Sequence, residues 1–136
     1  MKTTVLPERI LRLMPKVERA RLGKAGRTTE EIAAAVLHRQ ECDLQAQIAG
    51  WLRTRDIEYI KPDMRKRSPL PPGWPDFTFA HCGRAIGVEC KVRGEALEPD
   101  QVAQHARMAV NGWRIITART LRDVITLLRE IEVTPA

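Results

Sequence analysis

Gly73-Trp74-Pro75-Asp76-Phe77-Thr78-Phe79, then His81-Cys82-Gly83, then Ala85-Ile86-Gly87-Val88-Glu89-Cys90-Lys91-Val92: this stretch decides how the chain folds. Two apolar-rich runs flank a short turn containing glycine, which predicts a β-hairpin with strands over 76–80 and 85–92. Residues two apart on a strand share a face. Phe77 and Phe79 then point one way, Asp76 and Thr78 the other. In the second strand Val88, Cys90 and Val92 oppose Glu89 and Lys91. Each strand has an apolar face for a core and a polar face that can hold a site, and antiparallel pairing brings Asp76 beside Glu89.

Two carboxylates that close repel each other, and one pKa rises unless a cation sits between them. Mg²⁺ is suited to that place, since it uses a few carboxylates and keeps waters for a substrate. Lys91 beside it can orient an attacking water or stabilise charge on a phosphate. This is equipment for holding a divalent metal and a water against a phosphate, and it makes a nuclease the leading expectation. The plain alternative is a solvated polar sheet face carrying a surface ion pair.

Further candidates lie on helices to either side. Glu41 precedes Leu44, Ile48 and Leu52 by three, seven and eleven residues, which puts it at the end of a core-facing helical stripe. A carboxylate facing inward must be paired or bound to a cation, and Gln45 one turn on can assist it. The alternative is a first-turn residue favoured by the helix dipole. Downstream, Gln101 and His105 are four apart and share a helix face, with Gln104 adjacent. Gln101 can reach the site. His105 reads as a phosphate contact or a neutral surface histidine rather than a metal ligand, because no second histidine joins it. A polar helix surface is the alternative for both.

Outward from the hairpin, Leu6, Ile10, Leu13 and Val17 recur at helical spacing, with Pro15 ending that helix. Arg19, Arg21, Lys24 and Arg27 follow. Thr28 with Glu31 resembles a capping box opening a second helix that runs, with or without a break, to about Arg55. Ile57–Ile60 reads as a short strand. A basic, proline-rich loop spans 61–73, in which Lys61, Arg65, Lys66 and Arg67 are suited to flanking phosphates. A helix opens at Pro99 and stops at Asn111-Gly112. Residues 113–117 read as a buried strand. A last helix from about Thr120 carries Leu121, Val124, Leu128 and Ile131 on one face. Helix, three strands, helix, strand, helix is an α/β order, a mixed sheet with flanking helices.

The chain of 136 residues reads as one domain, and 43% hydrophobic residues suffice for a core that 4% aromatics leave mainly aliphatic. No apolar run reaches the roughly 18 residues of a membrane span. The N-terminus lacks the apolar region of a secretory signal, so a cytoplasmic protein is expected. Cys42, Cys82 and Cys90 are odd in number and none pairs at metal-ligand spacing, so they read as reduced thiols packed as small hydrophobes. A net charge of +6 and a pI near 9.7 favour a polyanionic partner.

Glu41-(x)₃-Gln45, Gly73-Trp74-Pro75-Asp76, Glu89-Cys90-Lys91 and Gln101, followed by Gly112, stand in the order found in PD-(D/E)XK nucleases. More narrowly, the chain resembles the stand-alone VRR-NUC nucleases of phages and bacteria, over roughly residues 38–126. The resemblance implies a restriction-endonuclease-like core, a mixed β-sheet flanked by helices in the order α-β-β-β-α-β-α. It implies hydrolysis of DNA phosphodiester bonds with Mg²⁺ or Mn²⁺. Glu41, Asp76 and Glu89 would be metal ligands together with the Cys90 backbone carbonyl. Lys91 would be the catalytic lysine and Gln101 a supporting residue. Members of that family act on branched DNA, often as homodimers, so a structure-specific, resolvase-like or nicking enzyme is expected. Residues 1–37 fall outside the resemblance, as a basic helical extension to a nuclease domain over 38–136. The rival readings are a catalytically inactive DNA-binding module on the same fold and a basic subunit of a phage or replication assembly.

Overall fold

In the computed structural model the described residues are 28–63 and 69–134. The expected first helix over residues 6–17 lies outside them, as do Arg65, Lys66 and Arg67. The chain divides into two compact units, residues 1–42 and 43–136, and one helix, α1 (Thr29–Thr54), enters both.

In the first unit, Thr28 and Glu31 close the expected capping box. The Glu31 amide donates to Thr28 Oγ1 and the Thr28 amide to Glu31 Oε2, both at 3.2 Å. Two orphan amides at the helix start are thereby satisfied, and α1 continues without a break to Thr54.

The second unit is mixed α/β. Strands β1 (Phe77–His81) and β2 (Arg84–Cys90) pair antiparallel, helix α2 (Pro99–Val110) crosses over, and β3 (Arg114–Ala118) pairs parallel to β2. Helix α3 (Leu121–Val133) closes the described chain, opened by a second capping box between Thr120 and Asp123. The hairpin turn is Cys82-Gly83, with φ of 52° and 75°. Two consecutive positive φ angles make a two-residue turn whose twist matches the strands, and this fixes the register Phe77↔Val88.

The order β1-β2-β3 makes β2 the central strand. Its apolar face, with Ile86, Val88 and Cys90, packs in one cluster with Leu44, Ile48 and Leu52 of α1 and Val124, Leu127, Leu128 and Ile131 of α3. Aliphatic side chains dominate that cluster, as the scarcity of aromatics requires.

Two expectations and one alternative reading need correction. The strand over 57–60 reduces to one bridge, in which the Ile60 and Thr78 amides each donate to the other's carbonyl. Pro62 has no amide to continue such pairing. The polar face of β2 is not solvated: a central strand between two others, with α2 lying over it, is covered on both sides. Finally, only Cys90 packs as a small hydrophobe. Cys82 sits in the turn and Cys42 on the helix surface, both exposed. No helix among the described residues is long and apolar enough to cross a membrane.

Candidate active site

Glu89 is 2% exposed and Lys91 7%. Both sit where β2 ends, on the face opposite Val88 and Cys90. Burying an ion is costly unless it is paired or coordinates a cation. A solvated surface pair does not describe these two side chains. The same face approaches Pro75 at Gly87: a Cβ added there would lie 3.1 Å from Pro75 Cγ and 3.2 Å from Ile115 Cγ1. Pro75 therefore rests on a site cleared for it, and Asp76 follows, one residue before β1 and opposite Glu89 if the antiparallel register continues.

Asp76 is held from the backbone. Its Oδ2 accepts the Cys90 amide at 2.8 Å. Burial pushes its pKa above the ordinary carboxyl value, against the lowering effects of the Cys90 amide, a hydrogen bond with Glu89, and the charges of Lys91 and Lys61. Desolvation wins over four favourable contacts, which marks a carboxylate short of positive charge.

Gln101 connects α2 to Glu89. Its Oε1 accepts the Glu98 amide at 2.9 Å, closing a capping box at the start of α2. With its oxygen so committed, the amide nitrogen turns the other way and donates to Glu89 Oε1 at 2.8 Å. A glutamate could serve the cap equally. Only glutamine also gives Glu89 a donor.

His105, one turn further on, is 9% exposed. It is not a surface histidine: its Nε2 lies 3.8 Å from Glu89 Oε2. Burial lowers its pKa below the ordinary imidazole value, and Lys91 adds to this. A hydrogen bond to the Gly73 backbone and the charge of Asp76 oppose it. Gly73 reaches α2 because it has no side chain. With φ at +83°, a Cβ there would fall 2.2 Å from the Asp100 carbonyl oxygen. Trp74 anchors the same turn, donating from Nε1 to Thr78 Oγ1 at 3.3 Å and meeting Trp113 edge to face.

Glu41 is half-buried on α1, one turn before the core residue Leu44. Asp76 and Glu89 each offer a carboxylate oxygen, and these lie within 4.8 Å of each other. Lys61 is exposed, with its Nζ 5.9 Å from the Phe77 ring centroid. The Cys90 side chain faces the core while its amide serves Asp76.

The donor set suits a hard divalent cation. Two carboxylates, Asp76 and Glu89, against one ammonium and a neutral imidazole leave one negative charge in excess, and carboxylate oxygens suit Mg²⁺ and Mn²⁺. Sequence reasoning missed the aim of His105. It also missed Arg119, whose guanidinium donates to the carbonyls of Val92 at 2.6 Å and Glu95 at 2.7 Å and so fastens the loop leaving β2. No periodicity marks an arginine with that task. No protein-family model matches the chain, and no curated protein matches it.

Proposed function

We propose that this protein is a divalent-metal-dependent nuclease that hydrolyses DNA phosphodiester bonds. The observation that carries the reading is the burial of Glu89 and Lys91 side by side on the face that also holds Asp76. Ionised groups brought together away from water, at a cost to stability, are the mark of a site with a chemical task.

Asp76, Glu89 and Glu41 would hold Mg²⁺ or Mn²⁺, with the Cys90 carbonyl as a further ligand. A bound ion of this kind supplies Lewis acidity and lowers the pKa of its water. Lys91 aligns the attacking water and stabilises charge on the scissile phosphate, with attack in line with the leaving 3′ oxygen. Gln101 fixes the rotamer of Glu89 and so acts as a positioning residue. Lys61, Arg65, Lys66 and Arg67 bind flanking phosphates, with an affinity that falls steeply as salt rises. The order of motifs resembling VRR-NUC nucleases supports the narrower parts of the proposal: a restriction-endonuclease-like core, branched DNA as substrate, a homodimer as the working form, and a phage or bacterial setting.

The test is a cleavage panel of labelled single-stranded, duplex, flap and four-way DNA, in Mg²⁺, Mn²⁺ and EDTA. Cleavage that requires the metal supports the reading. DNA binding without cleavage of any substrate overturns it in favour of an inactive binding module.

A further inference from the structure

His105 is a buried base that the proposed chemistry leaves without a task. Its Nε2 makes no hydrogen bond, and it lies 3.8 Å from Glu89 Oε2. That is too long for a hydrogen bond and short enough for one ion or water to touch both atoms. The Gly73 backbone is the ring's other polar neighbour. In the neutral ring a proton on Nδ1 leaves Nε2 with a lone pair turned toward a carboxylate.

A lone pair facing a carboxylate across such a gap is electrostatically unfavourable, unless something positive lies between them. A buried imidazole whose near nitrogen makes no hydrogen bond and faces a carboxylate has the arrangement of a metal-ligating histidine. Gly73 is what permits it. Any side chain there would drive the turn off the Asp100 carbonyl and take the Gly73 backbone away from the ring.

Resting on the metal-site reading above, we infer that His105 is a nitrogen ligand to the divalent cation held by Glu89. A site with one imidazole among carboxylates favours Mn²⁺ and Co²⁺ over Mg²⁺ more strongly than an all-oxygen site does, because imidazole nitrogen prefers the softer transition metals.

The experiment is pulsed electron paramagnetic resonance on the full chain loaded with Mn²⁺, read for nitrogen modulation of the imidazole type. Wild type is compared with His105→Gln and Asp76→Asn. The expected result is an imidazole modulation in wild type that disappears in His105→Gln while Mn²⁺ still binds. Should His105→Gln fail to fold, the His38→Gln/His81→Gln double variant leaves His105 as the sole imidazole, and the modulation must persist there. Mn²⁺ that binds wild type but not Asp76→Asn, with no imidazole modulation, overturns this inference and leaves the carboxylate site standing. A wild-type chain that binds no Mn²⁺ overturns both.

Discussion

On one face of β2, Ile86, Val88 and Cys90 are fully buried among the side chains of α1 and α3. On the other, Glu89 and Lys91 are nearly as buried, under Gln101 and His105 of α2. The same strand presents two interiors. The apolar one is the source of stability, because removing hydrocarbon from water drives folding. The ionic one works against stability, as the raised pKa of Asp76 records. Burial alone therefore does not say what a residue is for. What separates the two faces is whether the buried groups satisfy each other without anything added.

The largest effect breaks the apolar side. Phe77 is fully buried and meets Tyr59 edge to face at 5.2 Å. Phe77→Ala is expected to destabilise the protein by about 3–5 kcal/mol, measured by urea unfolding in EDTA. A loss below about 1 kcal/mol would place the core elsewhere.

Next in size, the ionic side should gain from metal. Mg²⁺ at a hundred times its Kd is expected to stabilise wild type by about 2.7 kcal/mol and Asp76→Asn hardly at all. The pH dependence has a definite sign. A carboxyl whose pKa is higher in the fold than unfolded stabilises the fold while protonated, and that contribution is lost as pH rises through the folded value. Without metal, wild type should thus lose stability relative to Asp76→Asn as pH climbs from the ordinary carboxyl value toward neutrality. Parallel curves for the two proteins would show that Asp76 carries no such strain.

A smaller effect tests how the ionic side is assembled. Gln101→Ala removes the donor to Glu89 Oε1. Metal affinity is expected to fall by about 10–100-fold in a calorimetric titration, the range for a residue that orients a ligand. The smallest effect lies outside both interiors. Glu132 pairs with Arg55 at 3.3 Å and His81 at 2.9 Å on the surface, and Glu132→Gln is expected to cost less than about 1 kcal/mol.

Local rules made much of this legible. Period-two alternation put Asp76, Glu89 and Lys91 on one face, the Thr28 capping box opened α1, and Pro99 opened α2. The rest depends on contacts distant in sequence. The polar face is buried because Gln101 and His105 of α2 lie over it, which no window around residue 89 contains. The segment 57–60 has the composition of a strand but finds a single partner, Thr78. The aim of His105 depends on Gly73, thirty-two residues earlier, reaching the first turn of α2. In the sequence, a histidine with no second histidine nearby reads as a phosphate contact or a neutral surface histidine. In the fold, its partners are acids.

The most direct measurement is single-turnover cleavage of branched DNA in Mg²⁺ by wild type and Lys91→Met, with DNA and metal binding measured on the same preparations. The expected result is metal-dependent cleavage by wild type, and a variant that binds both yet cleaves at least about a hundredfold more slowly. Equal rates for the two proteins would contradict the assignment of this buried ionic face as a nuclease site.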